Sequence, residues 1–479
     1  MALALLTTGR AWGESMELGI DCHAVLRRAM RLGGDYADLF VEHAAPLTIV
    51  LEDGRVERVV AGQESGIGVR VLFGGKTAYA YTNELTTAAA LEIAGAVSSA
   101  AASSAGRYPH TLALERSRPP DVRLRIQPDS VPVEQKVEMV VRANRVARSI
   151  DSRIRQVLLS YRENRQRVLI ANSDGEMRED DRSYMTAMVH VVVADADGTV
   201  QTGYEAVGGL TGLELFESEP LEEAAAKAAS RAIMMLGARK APAGKMAVVL
   251  SSTAGGTMIH EAVGHGLEAD LAQSGLSVYS GMLGKQIASP LITVLDDSTL
   301  PGRRGSFSCD DEGTPSQRTV LVEKGILRTY LYDRLTALKD GARSTGNGRR
   351  ESYRSRPIPR MTNTMIASGN GRPEDILRST GSGLFVSKMG GGQVNTVNGD
   401  FVFEVSEGFL IEDGRIGEPV RGASLIGNGP AVLKSIDLVG ADLGFSIGTC
   451  GKDGQGAPVS DAQPTLRIPE ITVGGEVTD

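Results

Sequence analysis

The spacing of apolar positions changes period several times along the chain, and each change marks an element. A three-to-four residue rhythm in DCHAVLRRAMRLGG, closed by glycines, predicts an amphipathic helix. LTIVLEDGRVERVV alternates on either side of Asp53-Gly54 and predicts a hairpin; GIGVRVLFGGKTAYAYT continues as strands. ELTTAAALEIAGAVSSAAASS returns to an alanine-rich helix, and residues 105–130, rich in Pro, Arg and Ser, read as a long connection. From about 131 the order is helix (VEQKVEMVVRANRVARSI), alternating strands through VLLSYRENRQRVLIANSDGEMRED and YMTAMVHVVVADADGTVQTGYEAVGG, then helix (EPLEEAAAKAASRAIMML).

Beyond the break GARKAPAGK, 237–245, the rhythm is mostly that of strands. KMAVVLSS reads as a buried strand and TAGGTMIHEAVGHGLEADL as a helix entered through glycines. PLITVLDD, TVLVEKGILRTYLYD on Lys324-Gly325 and FVFEVSEGFLIEDGRI on Asp413-Gly414 predict further strands and hairpins. The expected fold class is α+β. A loose extension, 1–16, precedes an N-terminal α/β-layered domain, 17–236, with a mainly antiparallel sheet and a candidate sub-boundary near 105–130. A β-rich C-terminal domain, 246–479, carries the one helix with unusual chemistry.

Composition narrows the function. The 479 residues are 42% apolar and 23% charged, ordinary for a globular chain too long for one core. A net charge of −8 argues against a nucleic-acid or anionic-membrane surface, and no apolar run approaches the length of a membrane span. Three scattered cysteines, Cys22, Cys309 and Cys450, make a disulfide framework a poor reading and a cytoplasmic location the simpler one.

The chemistry concentrates in MIHEAVGHGLEAD, residues 258–270, where Glu261 follows His260 and His265 comes five residues after it. Zinc peptidases space such histidines four apart, about 40° around a helix, whereas five residues leave about 140° between them. Both imidazoles reach one ion only if the helix loosens, and Gly264 and Gly266 bracket His265 where a π turn would do this. Glu261 then projects beside the ion, where a carboxylate takes a proton from the attacking water and passes it to the leaving amine. A catalytic zinc site takes three protein ligands. Glu268 and Asp270 are candidates, or serve to solvate the helix end, while Cys450 lies in GFSIGTCGKDGQG, read as a flexible glycine-rich loop able to reach the helix.

MIHEAVGHGLEAD, PGRRGSFSCDDEGTPSQRTVLVEKGILRTYLYDR, GNGRRESYRSRPIPRMTNT and IGTCGKDGQ, in this order, resemble the TldD branch of the TldD/PmbA metallopeptidase family. The resemblance covers nearly the whole chain from about Asp35. It implies a zinc-dependent peptidase acting on small or unfolded peptides, with zinc on His260, His265 and Cys450 and Glu261 as the catalytic group. It also implies pairing with a TldE (PmbA)-like chain that lacks the metal motif, a homodimer being the other arrangement. The contrasting reading is a peptide-binding, chaperone-like subunit in which zinc is structural.

Other signals carry less. In MGGGQVNTVNGDFVFEV, Gly390, Gly391, Gly392 and Gln393 could offer a bare strand edge to an extended peptide, or simply form a tight loop. CDDEG, 309–313, reads as a solvated turn in preference to a second cation site. The arginine-rich GNGRRESYRSRPIPR suits either a surface loop or a grip on peptide carboxylate and carbonyl groups. GFSIG lacks the helix of a serine-hydrolase elbow, and FGGKT reads as a strand end.

Overall fold

The computed structural model describes residues 19–102, 113–117 and 124–475. The expected extension, 1–16, lies outside them, as does much of the connection expected at 105–130. The chain is α+β with mainly antiparallel sheets.

One eight-stranded sheet runs through the N-terminal region. Its order is Lys76–Thr82, Glu64–Phe73, Tyr36–Glu52, Ile154–Asn172, Glu176–Ala194 and Glu115–Ser117. Arg55–Ala61 is added beside Tyr36–Glu52, and Val200–Leu210 beside Glu176–Ala194. The Asp53-Gly54 hairpin forms as its sequence predicts, with φ of 49° and 78°, the left-handed pair that a two-residue turn between twisted strands requires. Helices Cys22–Ala29 and Thr87–Ala100 share one apolar cluster with this sheet, and Val133–Ser149 and Leu221–Gly237 share another. Leu221–Gly237 buries Ala225, Ala228, Ala229 and Ala232 fully. Those small side chains let it press so close to the sheet that a Cβ at Gly203 would overlap the Ala228 carbonyl.

The C-terminal part holds two large sheets and a two-stranded one, Gly348–Arg349 with Ile358–Pro359. In the first, strands Gly383–Val394, Gly244–Leu250, Leu466–Gly474, Ser424–Asn428 and Asp400–Glu412 pair in that order, and the last pairs back onto the first, closing a barrel. The second runs Ile326–Leu327, Arg318–Glu323, Val294–Asp297, Asn363–Ile366, Gln455–Gln463, Gly444–Lys452. Ile259, Val263 and Leu267 of the histidine-bearing stretch are fully buried in the same core as barrel residues Leu250, Phe403 and Leu466. No helix among the described residues is long and apolar enough to cross a membrane.

The reading of CDDEG is corrected here, and the arginine-rich run, left open above, proves to be part interior and part surface, with Arg354 and Arg356 exposed. Asp310, Asp311 and Glu312 do not form a solvated turn; their exposures are 0%, 3% and 0%. They meet arginines brought from elsewhere in the chain. Arg70 bonds Glu312 at 2.6 Å and also pairs with Asp38, while Arg182 bonds Asp311 at 2.7 Å and Asp180 at 2.8 Å. Within GNGRRESYRSRPIPR, Arg349, Arg350 and Arg360 are likewise interior, and Arg350 donates to the Asp311 carbonyl at 2.9 Å. Burying a charge is costly unless it is paired or hydrogen-bonded, and the pairs of Arg70 with Glu312 and Arg182 with Asp311 join strands of the N-terminal sheet to loops of the C-terminal part.

Candidate metal centre

The stretch after strand Gly244–Leu250 changes helical type three times. Thr257–Ile259 is one α turn, His260–Gly264 is π-helical, His265–Leu267 is a 3₁₀ turn, and Ala269–Gln273 returns to α. The helix therefore loosens where the five-residue spacing requires it. The backbone groups this frees are met by side chains: the Tyr279 hydroxyl donates to the Ala262 carbonyl at 3.1 Å and the Ser277 hydroxyl to the Gly266 carbonyl at 2.5 Å. The glycines serve packing as much as flexibility. A Cβ on Gly264 would overlap the Met361 sulfur, one on Gly266 would stand 2.7 Å from the Tyr279 ring, and one on Gly256 would overlap the Cβ of Asp461.

The π turn brings the two imidazoles together, ring centroids 5.0 Å apart and nearly perpendicular at 88°. Cys450 joins them across 185 residues of sequence, its Sγ 3.6 Å from His265 Nε2. One donor atom from each of His260, His265 and Cys450 lies within 4.8 Å of the others, and no fourth His, Cys, Asp or Glu joins this group among the described residues. Cys450 is not on a flexible loop. GFSIGTCGK is a strand, paired throughout with Gln455–Gln463 and turned on Asp453-Gly454. Arg360, fully buried, donates to the carbonyls of Cys450 and Gln455 and so clamps both sides of this hairpin.

Two carboxylates orient the imidazoles: Asp461, which the sequence reading did not name, and Glu268, named there as a candidate ligand or a solvating group. Asp461 Oδ1 lies 2.8 Å from His260 Nδ1, and Glu268 Oε2 lies 3.0 Å from His265 Nδ1. With Nδ1 of each ring engaged, Nε2 is the nitrogen left for a ligand, the usual arrangement behind a metal-bound histidine. Glu268 does not solvate the helix end. It is fully buried and ion-paired to Lys452 at 3.1 Å, and Lys452 also holds Asp270 at 2.7 Å. Since Lys452 is two residues beyond Cys450, this ion pair ties the cysteine hairpin to the histidine segment.

Titration behaviour follows from these contacts. Burial works against protonation of His260, but Asp461 outweighs it and pushes the imidazole well above its ordinary value. Burial opposes His265 as well, and Glu268 with Cys450 raises it to about 10. The Cys450 thiol is pushed up by burial and pulled down further by hydrogen bonds and charge from both imidazoles, to about 6. Glu268 is lowered to about 2, since His265 and Lys452 overcome its desolvation. A thiolate beside two imidazoles, each backed by a carboxylate, is a donor set that suits a borderline-soft divalent ion such as zinc.

Glu261 sits on the π turn, half-buried, and has no hydrogen-bond or ion-pair partner among the described residues. Gly390–Gln393 lie in strand Gly383–Val394, which packs against the π turn. Strand Gly244–Leu250 covers that strand only at Leu384–Val386, so the 390–394 stretch is paired on one side only, to Asp400–Glu412. Gly391, Gly392 and Gln393 are exposed. Gly392 and Gly390 also have a packing reason, since a Cβ would strike Phe403 or Ser406; Gly391 has open space. Ser446 of GFSIG accepts from the Gly256 amide within the strand, and FGGKT is the turn Gly74-Gly75 between two strands.

Family models described as PmbA/TldA metallopeptidase domain 1, central domain and C-terminal domain match residues 37–104, 126–236 and 243–475. A protein of Haemophilus influenzae named Metalloprotease TldD homolog is 40% identical over 449 residues, 92% of this chain and 93% of its own. A protein of Saccharolobus solfataricus named Zinc metalloprotease TldD homolog is 26% identical over 462 residues, 94% of this chain and 99% of its own. Among solved structures, a candidate modulator of a DNA gyrase from Thermotoga maritima has a TM-score of 0.75 at 22% identity, covering 92% of this chain and 96% of that one. TldE from Thermococcus kodakarensis has a TM-score of 0.73 at 18% identity, covering 95% and 99%; likeness at these identities concerns the fold. Together the three consecutive family matches and the full-length TldD-type relatives show that this chain belongs to the PmbA/TldD metallopeptidase family.

Proposed function

We propose that the chain is a zinc-dependent peptidase in which His260, His265 and Cys450 hold the ion and Glu261 is the general base. The observation that carries this reading is a convergent three-donor set with a partner-free carboxylate beside it on the same turn. Three protein donors also favour catalysis over a structural zinc, which is usually closed by four. A zinc ion held by these residues would supply Lewis acidity toward water and the peptide carbonyl. Glu261, with no ion pair to give up, takes the proton of the attacking water and delivers it to the leaving amine. Asp461 and Glu268 keep the imidazole rings turned so that Nε2 faces inward.

The one-sided strand at Gly390–Gln393 supports a substrate bound in extended form through its backbone, which would tolerate many side chains. That suits small or unfolded peptides. Confinement of each sheet to one part of the chain supports a two-domain division, 17–236 and 246–479. The likeness of fold to TldE supports pairing with a chain of the same architecture that lacks the metal motif, and three buried, unbridged cysteines support a reducing, cytoplasmic setting. The test is a pair of variants assayed on an unfolded peptide with metal content measured on the same samples. Glu261→Ala keeps the zinc and loses cleavage; His260→Ala loses both. Cleavage by Glu261→Ala at the wild-type rate would remove the assignment.

A further inference from the structure

Buried arginines in this chain come with acids or with backbone carbonyls: Arg349 donates to the Met361 carbonyl, and Arg360 to those of Cys450 and Gln455. Arg70 sits with Asp38 and Glu312, Arg182 with Asp180 and Asp311, and Arg231 with Glu205 and Glu407. Taking a guanidinium out of water is costly unless a counter-charge meets it. Arg304 departs from this pattern. Its Nη1 is buried without a hydrogen-bond partner, and its Nη2 has only the Thr449 hydroxyl, at 3.1 Å. The groups acting on it electrostatically are two phenols, Tyr184 and Tyr204, and two more cations, Arg349 and Arg162; burial first, then those cations, hold it down at about 10. In a chain of net charge −8, this is a spot of uncompensated positive charge.

Its position is informative. The Arg304 amide donates to Ser460 Oγ at 3.1 Å, and Ser460 precedes Asp461, the partner of His260. Thr449 precedes Cys450. Since successive side chains of a strand point to opposite faces, Thr449 and Ser460 stand on the face away from the three donors. Gly444–Lys452 is the outermost strand of its sheet, and Thr449 and Gly451 are exposed.

We infer that Arg304, with the Thr449 hydroxyl beside it, forms a carboxylate-binding subsite that anchors an acidic group of the substrate. This rests on the peptidase reading for its substrate class, though the site itself does not depend on catalysis. The carboxylate is either the peptide C-terminus or an Asp or Glu side chain; both match a guanidinium with a hydroxyl beside it.

Binding of fluorescein-labelled hexapeptides to the zinc-loaded full chain, in a Glu261→Gln background, separates the sources. The probes are a neutral peptide with a C-terminal amide, the same peptide with a free C-terminus, and the amide carrying one Glu. At least one acidic probe binds tenfold or more tighter than the neutral amide, as expected at about 1.4 kcal/mol per tenfold. Arg304→Gln abolishes that preference and leaves the neutral probe unchanged. Arg304→Lys, which keeps the charge but not the fork, retains part of it and serves the same test if the glutamine variant melts early. Equal affinity for all three probes, or a preference that survives Arg304→Gln, overturns the subsite. Cleavage by the wild-type chain is scored separately: acid preference without cleavage defeats the peptidase reading alone, and cleavage without acid preference defeats the subsite alone.

Discussion

Replacing Glu268 by glutamine isolates the charge behind His265 while keeping its shape. The carboxylate is fully buried, 3.0 Å from His265 Nδ1 and 3.1 Å from Lys452 Nζ. A glutamine oxygen still accepts from Nδ1–H, and Asp270, at 2.7 Å, still neutralises Lys452, so the fold keeps its main supports. What is lost is the negative charge that makes the imidazole a stronger ligand. Loss of such an outer partner typically costs ten- to a hundredfold in metal affinity, about 1.4–2.8 kcal/mol; the conserved hydrogen bond places glutamine near the tenfold end. The pH dependence gives the sharper signature. Glu268 raises His265 to about 10, so in the wild type zinc competes with a proton on this ring across the neutral range. Without the charge the ring titrates lower, and the variant gains less affinity as pH rises. The ratio of wild-type to variant affinity therefore widens from pH 6.5 to 9. Zinc competition against a chelating dye at several pH values, with thermal unfolding as a check on folding, measures this. A ratio of one throughout, or one that narrows with rising pH, would refute the reasoning.

Other outcomes follow from the same geometry. At pH 7.5 both imidazoles carry a proton while Cys450, at about 6, is already a thiolate, so zinc binding releases about two protons per ion; calorimetry in buffers of different ionisation enthalpy counts them. Acidification through the Cys450 value then adds a third proton to the donor set and weakens binding more steeply below pH 6. Gly264→Ala forces its methyl against Met361 and costs about 1–3 kcal/mol, read as a lower denaturation midpoint together with weaker zinc binding. Arg360→Met leaves the carbonyls of Cys450 and Gln455 without their shared donor, and zinc affinity falls more than it does for substitution of the half-exposed Arg356.

The sequence was most legible where local chemistry decides structure. Asp53-Gly54, Lys324-Gly325 and Asp413-Gly414 all turn hairpins because both residues of each pair adopt positive φ. The extra residue between His260 and His265 dictates a looser turn, and the π helix is the form it takes. Long-range partners were not legible. Asp461 lies 201 residues from His260, and nothing near it in sequence distinguishes it from any strand aspartate. CDDEG looks solvated in one dimension because Arg70 and Arg182, which neutralise it, are far away along the chain. The glycines around Cys450 suggest a loop, yet one of them, Gly444, is needed because a Cβ would strike the Ser252 carbonyl, and pairing with Gln455–Gln463 supplies the strand's hydrogen bonds.

X-ray absorption at the zinc edge, on protein loaded with one equivalent of zinc, tests the proposed centre most directly. Two nitrogen scatterers at about 2.0–2.1 Å, one sulfur at about 2.3 Å and one further light atom are expected, with the sulfur lost in Cys450→Ala. A shell without sulfur, or a sulfur contribution unchanged in Cys450→Ala, would contradict the assignment of His260, His265 and Cys450 as the ligand set.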